Sequence, residues 1–426
     1  MQKPPAQPLI QRLEPVHGLP QTPSDPIRAT PIVDLHERFL ALQALLQAHR
    51  AFWAPSPFHQ ELPQWCLDQP QLAHQVLALD AASVDRYRDQ PDLATNWLAP
   101  HLHGLAELTA LSTLDMLPAQ PATPVPPHLD VEIPGRKKAQ IEAFASRLPQ
   151  IPGPALEWCA GKAHLGRHLH QTRRIEVAAL EIDVALCQQA RQLAARHRVP
   201  HTILQGDATS PSAIEYLEGR DVVALHACGE LHRRLVRTAA DHGARSLHIA
   251  PCCYHKGSAG AYQAMSGTAT LQLDSNKLRL AVTETVTAPL HDRRRLARDQ
   301  AWKLGYLALR NDLGLQAESP FRPVPAAWLK NDFANFCRLL AARAQLRLPG
   351  HINWAHWEHA GAARREQVLR LEIVRHAYRR PLEIWLALDL ALGLQERGFE
   401  VQIGCFCTRT LTPRNILISA HRHAGG

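Results

Sequence analysis

The most constraining feature of this sequence is a series of five short apolar segments within about a hundred residues. Each contains four to six residues, and stretches with helical periodicity separate them. They are residues 155–159, 175–180, 201–204, 221–226 and 246–250. Short apolar strands that alternate with helices typically form a mostly parallel sheet covered on both faces. The pattern therefore predicts a doubly wound α/β fold.

Two more apolar segments, residues 399–406 and 415–420, follow a helical pattern at 381–397. We expect them to complete the same sheet as an antiparallel edge pair, which gives seven strands. Periodicity also predicts helices at residues 292–309, 328–346 and 355–378, whereas residues 271–287 fit either a strand or a helix.

Proline-rich stretches suggest the domain boundaries. Residues 1–31 contain eight prolines and residues 118–134 contain six, which is typical of an extended arm and a linker. Between them, residues 32–117 show helical periodicity and predict a helical N-terminal domain. Residues 135–426 then form the sheet domain, with a helical insertion at about 258–350.

The charge balance favours a polyanionic partner. The chain has 47 basic and 39 acidic residues, a net charge of +8, in a total of 426 residues. This excess suits RNA, although an arginine-rich composition produces it as well. The run Asp292–Arg298 holds four guanidinium groups that could bind phosphates, and a solvated helix face is the alternative interpretation.

Several classes of protein are disfavoured. The sequence lacks an uncharged apolar run of about 18 residues, so we expect no membrane span, and its first residues lack the apolar segment of a secretion signal. Nine cysteines without a CxxC pair support neither a disulfide framework nor a zinc finger. The prediction is a cytoplasmic protein; the oligomeric state is left open.

Ligands of doubly wound sheets bind at the carboxyl ends of the strands, where the strand order reverses. At these ends, Glu181 is placed to accept hydrogen bonds from a ribose diol and Asp207 from an adenine amine; ordinary exposed carboxylates are the alternative. The loop after the first strand has only Gly161 of the glycines that a pyrophosphate needs. A ligand without phosphates, such as S-adenosylmethionine, is therefore favoured over a dinucleotide.

Three motifs resemble a known family. An acidic residue with G-x-G-K-G-x-L, then L-H-x-C-G-D-L and C-C-Y-H are matched here by Glu157 with residues 161–165, by residues 225–231 and by residues 252–255. The tail, residues 380–418, is similar too. The sequence resembles, over about residues 135–425, the S-adenosylmethionine-dependent methyltransferase domain of the methyltransferase-like proteins once labelled rRNA adenine dimethylase-domain proteins. That domain also occurs in the glutathione S-transferase C-terminal-domain-containing protein and, more distantly, in the tRNA 2′-O-methyltransferase of the acceptor stem.

The resemblance implies a Rossmann-like methyltransferase that uses S-adenosylmethionine and acts on RNA, either tRNA or rRNA. The predicted cofactor site draws on the ends of the first four strands: Glu157, Ala160, Gly161, Lys162, Glu181, Asp207, Ala208, His226 and Cys228. Tyr254 and His255 are the predicted catalytic residues, with Tyr254 as a stacking surface for a base and His255 as a proton acceptor.

Two departures from the motif leave an alternative open. Cys159 and Ala163 replace the first and last glycines of the loop, where positive φ costs a side chain about 1 kcal/mol or more. A methyltransferase-fold binding or scaffold protein without turnover is the second hypothesis.

The cysteines near the strand ends suggest a third hypothesis, a thiol or metal protein that uses Cys228, Cys252 and Cys253. We expect adjacent cysteines not to point both inward, so the sequence favours packing roles for these thiols and predicts no metal site.

Overall fold

The computed structural model describes residues 34–121, 132–258, 260–284, 290–315, 321 and 323–422. The predicted arm at 1–31 and most of the predicted linker at 118–134 lie outside these ranges.

A seven-stranded sheet contains all seven predicted strands. They are β1 (Ala155–Trp158), β2 (Val177–Glu181), β3 (His201–Gln205), β4 (Asp221–Cys228), β5 (Ser246–Cys252), β6 (Phe399–Cys405) and β7 (Ile416–Arg422). Their order is β3-β2-β1-β4-β5-β7-β6. Neighbours from β3 to β5 are parallel, and β7 is antiparallel to both β5 and β6. The α/β class, the strand count and the antiparallel edge are thus confirmed.

The helices, in chain order, are α1 (Leu35–Ala48), α2 (Arg50–Trp53), α3 (Trp65–Asp68), α4 (Pro70–Leu77), α5 (Ala81–Asp89), α6 (Pro91–Leu98), α7 (Leu105–Leu111), α8 (Gly135–Arg147), α9 (His164–Arg173), α10 (Val184–Arg196), α11 (Glu230–Thr238), α12 (Ser275–Val282), α13 (Leu290–Asp312), α14 (Phe333–Arg343), α15 (Trp354–His376) and α16 (Arg379–Gln395). Short 3₁₀ helices occur at Pro211–Leu217 and Ala326–Lys330. The sequence of residues 271–287 fitted either a strand or a helix, and the structure has a helix there, α12. Within the described ranges, none of these helices is long and apolar enough to cross a membrane.

The chain forms two compact units that alternate along the sequence. Of the described residues, the sheet unit comprises those within 34–48, 106–283 and 379–422, and the helical unit comprises those within 49–105 and 284–378. In the helical unit, α2, α4, α5 and α6 pack against α15. Helices α2–α6 therefore belong to the same compact unit as α13–α15 and do not form a unit of their own. Periodicity does not reveal this grouping of distant segments.

In the sheet unit, β1 and β5 are buried along their whole length, as expected for strands covered on both faces. Helix α16 is buried from Pro381 to Leu394 and packs against β6, β7 and α11. Its Asp389 accepts hydrogen bonds from the Tyr262 hydroxyl (2.8 Å) and from the backbone N–H groups of Met265 and Ser266. This carboxylate fastens the segment that follows β5 to the core.

The strand order reverses between β1 and β4, which are neighbours although β2 and β3 separate them in the chain. This reversal places a crevice at the carboxyl ends of β1 and β4, where ligands of such sheets bind.

Candidate active site

The loop after β1 has the backbone conformation that the motif requires. Cys159, Gly161 and Ala163 all have positive φ, of 58°, 59° and 52°. Ala163 immediately precedes α9 and is buried, as is Ala160, whereas the Lys162 side chain is exposed. Two non-glycine residues thus adopt left-handed backbone at the positions of the missing glycines, as the comparison of motifs predicted.

Glu181 faces this loop. Its Oε2 accepts a hydrogen bond from the Gly161 backbone N–H at 2.7 Å, and Oε1 accepts from Ile182 (2.9 Å) and Asp183 (3.0 Å). The carboxylate at the end of β2 is therefore held beside the glycine of the β1 loop. The role of Glu181 as an acceptor for a ribose diol stays a prediction.

Asp207 follows β3, the next strand. Its Oδ1 accepts hydrogen bonds from the backbone N–H and the hydroxyl of Thr209, both at 2.8 Å, and these bonds lower the pKa of Asp207. The side chain is therefore ionised at neutral pH and held in one orientation. Ala208 beside it is buried.

The Cys159 thiol shows that the strand ends converge. Burial, followed by the charges of Glu181, Cys228, Asp207 and Glu157, raises the pKa of Cys159 to about 12. Groups from the ends of β1 to β4 therefore lie close enough to one thiol to act on it. The predicted convergence of residues far apart in the sequence is present in the structure.

Glu157 is buried, in contrast to Glu181. It is 5% exposed, and its Oε2 accepts a hydrogen bond from the Gly166 backbone N–H in α9 at 2.8 Å. A Cβ at Gly166 would lie 2.8 Å from this oxygen, so the close approach requires glycine. Glu157 therefore supports the start of α9 from within the protein, and its role in binding a cofactor stays a prediction.

Burial raises the pKa of Glu157 to about 7, while the Gly166 hydrogen bond opposes the shift. Since an unfolded glutamate ionises near 4.5, the unfolded chain releases this proton first, and stability falls as the pH rises from about 4.5 to 7. Above that range the loss of stability caused by ionising the buried Glu157, about 3 kcal/mol, no longer changes with pH.

We expect Glu157→Gln to remove this pH dependence. The difference in unfolding free energy between pH 5 and pH 8, measured with urea, should shrink by up to about 3 kcal/mol relative to the wild type. Glu142→Gln, an exposed carboxylate on α8, is the control and should leave the difference unchanged. Equal pH dependence in Glu157→Gln and the wild type would contradict the assignment.

The end of β4 is irregular. The register with β5 shifts between Leu225 and Cys228, and His226 there has a φ of 67°. The His226 Nε2 lies 3.3 Å from Gln140 Oε1, and burial lowers the pKa of the imidazole to about 4, so the ring is neutral at pH 7. The shift in strand register turns Cys228 toward β5.

Three sulfur atoms meet at this point. Cys228 and Cys252 have their Sγ atoms 3.2 Å apart, and the sulfurs of Cys228, Cys252 and Cys253 all lie within 4.8 Å of one another. The expectation that adjacent cysteines cannot both point inward is wrong, because Cys253 has a φ of 42° and its turn brings both sulfurs to one side. Hydrogen bonds from the other two thiols, together with Lys256 and His255, lower the pKa of Cys253.

The structure does not support Tyr254 as a stacking surface. Its side chain is fully buried and packs edge-on against His232, with 5.3 Å between ring centroids. No face of the ring is open to an incoming base. His255 is partly exposed, and burial lowers its pKa, so a neutral imidazole remains available as a proton acceptor.

Backbone strain concentrates in this site. Seven non-glycine residues of the described ranges have positive φ, and three of them, Arg174, Arg198 and Gln345, simply end helices. The other four belong to the strand ends described above: Cys159, Ala163, His226 and Cys253. Strained backbone that clusters at the ends of neighbouring strands, rather than at the C-terminal ends of helices, is typical of functional sites.

Two glycines of the site provide a test of its backbone. Gly161 and Gly229 have similar φ (59° and 52°), but a Cβ at Gly161 would meet no described atom within 4 Å, whereas one at Gly229 would lie 2.0 Å from the Lys256 carbonyl oxygen. We expect Gly161→Ala to cost about 1 kcal/mol and Gly229→Ala about 3 kcal/mol or more in urea denaturation. Gly161→Ala is the matched control; equal costs would contradict the close approach of the two loops.

Sequence reasoning missed an apolar residue beside the site. Ile182 follows Glu181 and is 61% exposed, and Val184 is also exposed. Exposed apolar side chains occur at several places on this protein, and the position of Ile182 directly after Glu181 is what makes it suited to contact an aromatic base. The available signal was an isoleucine between two carboxylates at the end of a predicted strand.

Comparisons with known proteins find a family match over the first five strands. Residues 136–259, which contain β1 to β5, match the model of a family described as a methyltransferase domain. The chain therefore carries a methyltransferase domain, and the match spans every predicted site residue. Searching the curated proteins finds no match.

Solved structures with some similarity include the glycopeptide N-methyltransferase MtfA complexed with S-adenosylmethionine, at 22% identity over 35% of this chain and 72% of that one, with a TM-score of 0.23. Coclaurine N-methyltransferase bound to N-methylheliamine and S-adenosylhomocysteine is 14% identical over 51% and 58% of the two chains (TM-score 0.23). A protein of the NADB-Rossmann superfamily from Streptococcus agalactiae is 13% identical over 47% and 96% (TM-score 0.25). At these scores the fold assignment comes from the strand order itself.

Proposed function

We propose that this protein is an S-adenosylmethionine-dependent methyltransferase that acts on RNA. The observation that carries the proposal is the hydrogen bond from the Gly161 N–H to Glu181, at the point where the strand order reverses. It holds the Glu181 carboxylate beside a loop with a single glycine, which supports a role for Glu181 in binding a ribose diol, and the methyltransferase-domain match covers the same residues.

Three residues suit three different parts of the cofactor. Glu181 would bind the ribose hydroxyls, Asp207 the adenine amine, and the exposed Ile182 one face of the base. The cofactor supplies an electrophilic methyl group, so the protein has only to align an acceptor and to remove its proton. His255 is the base in this proposal, because its imidazole is neutral and partly exposed.

The net charge of +8 and the family resemblance favour RNA as the acceptor. The arginine run of α13 contributes less than its sequence suggests. Arg293 lies 3.6 Å from Asp89, Arg295 pairs with Asp292 at 3.0 Å, and Arg298 donates to the Leu329 carbonyl. Internal partners thus engage three of the four guanidinium groups.

The test is transfer of a labelled methyl group from S-adenosylmethionine to total RNA, with cellular protein as a parallel acceptor. Label in RNA that depends on Glu181 would support the proposal. Label in protein alone would refute the RNA assignment. Binding of S-adenosylhomocysteine without transfer to either acceptor would favour the scaffold alternative, and failure to bind it at millimolar concentration would overturn the function.

A further inference from the structure

We propose that Cys228, Cys252 and Cys253 form a three-sulfur site for a zinc ion. This inference is independent of methyl transfer, because it rests on the sulfur cluster alone. All three Sγ atoms lie within 4.8 Å of one another, at the carboxyl ends of two neighbouring strands. Thiolate sulfur is the protein ligand that zinc favours in such clusters.

The backbone holds the three cysteines in place. Cys228 and Cys252 are paired residues at the ends of the parallel strands β4 and β5. Gly229 donates its N–H to the Cys252 carbonyl at 3.1 Å, and Glu230 donates to the Lys256 carbonyl at 3.0 Å. The turn that carries Cys253 is therefore fixed to the start of α11, so the cluster is a consequence of main-chain structure rather than of flexible side chains.

The distances fit a metal with a small adjustment. Zinc–sulfur bonds of about 2.3 Å in tetrahedral geometry place sulfur atoms about 3.8 Å apart. The cluster lies within 4.8 Å overall, and its shortest pair, Cys228 and Cys252, is at 3.2 Å. That pair would have to open by about 0.6 Å, which a change in side-chain rotation can provide.

The three cysteines provide three of the four ligands of a tetrahedral zinc ion, which leaves the fourth coordination position for another ligand. Among the described residues, no further histidine, cysteine or carboxylate joins the group. Three protein ligands with an open fourth position are typical of catalytic rather than structural zinc sites. His255 lies two residues after Cys253, and its buried Nδ1 has no hydrogen-bond partner in the described structure.

The main competing chemistry is a disulfide between Cys228 and Cys252, whose sulfurs are already in contact. Oxidation would remove two electrons and two protons, and would need an oxidant such as a peroxide or oxidised glutathione. A disulfide would also take two of the three ligands away from a metal, so the two states exclude each other.

The experiment measures metal bound by the full-length protein, purified with reductant, dialysed against zinc and then against metal-free buffer. We expect about one zinc per chain by elemental analysis, and Cys252→Ser and Cys253→Ser each to retain less than a tenth of that. Cys337→Ala, which removes a buried cysteine of α14, is the control and should retain the zinc. Circular dichroism reports whether each variant is folded.

A second readout does not depend on variants. Cobalt titrated into the wild-type protein should give an intense sulfur-to-metal charge-transfer band, which zinc abolishes. Three results would overturn the proposal: less than a tenth of an equivalent of zinc in the reduced wild type, equal zinc in folded Cys252→Ser and Cys253→Ser, or a Cys228–Cys252 disulfide that persists in reductant. Calorimetry with S-adenosylhomocysteine on the same sample separates failure of the metal site from failure of the proposed function.

Discussion

Replacing Glu181 by glutamine should weaken the binding of S-adenosylhomocysteine about 100-fold. In the wild type Oε1 accepts hydrogen bonds from Ile182 and Asp183 while Oε2 accepts from Gly161. A glutamine can keep only one acceptor oxygen, so its NH₂ group would face the Gly161 N–H, donor against donor. The variant loses both the charge and the acceptor on the side of the diol.

The magnitude follows from the charge-assisted bonds. A hydrogen bond to a charged group contributes about 1.5–3 kcal/mol, and losing one while weakening another amounts to about 2.7 kcal/mol, or 100-fold in affinity. Isothermal titration calorimetry of the folded variant gives the number directly.

Glu215→Gln is the matched control, since it makes the same substitution at an exposed glutamate of the 3₁₀ helix between β3 and β4. Its affinity should equal that of the wild type. An affinity within threefold of wild type for Glu181→Gln would mean that the carboxylate serves only the β1 loop.

The sheet could be predicted because its strands carry their own signal. Runs such as 221–226 and 246–250 are apolar on both faces, as central parallel strands must be, and β4 and β5 were found there. Glu181 and Asp207 could be selected because the carboxyl ends of parallel strands share one edge. The positive φ of Cys159 and Ala163 followed from two missing glycines.

What could not be predicted depends on contacts between distant segments or on single backbone angles. Periodicity shows that residues 49–105 are helical, but not that they associate with 284–378. The inward orientation of both Cys252 and Cys253 depends on one φ of 42°, and the burial of Tyr254 depends on its packing against α11. Neither leaves a signature in residue type or spacing.

Glu383→Ala should cause the largest loss of stability, about 3–5 kcal/mol. Glu383 is 1% exposed and accepts hydrogen bonds from Arg380 (2.8 Å) on Oε2 and Arg414 (2.6 Å) on Oε1. The two parts of the tail that resemble the methyltransferase family are thus joined by a buried ion pair. Removing the carboxylate takes the Glu383 charge away from two largely buried guanidinium groups, which is the costly way to break such a pair.

The buried Glu383 ion pair lies close to the candidate active site. Burial and the Glu383 charge both raise the pKa of Tyr254, while Arg414 opposes the shift, so the pair lies near the turn that follows β5. In the variant we expect the midpoint of urea unfolding, followed by circular dichroism, to fall well below that of the wild type.

Glu366→Ala provides the control, because Glu366 also contacts two arginines, Arg365 at 3.2 Å and Arg370 at 3.5 Å, but its side chain is 45% exposed. An exposed pair contributes about 0–1 kcal/mol, so this variant should unfold near the wild-type midpoint. Equal losses in the two variants would show that burial does not set the energy of the Glu383 pair.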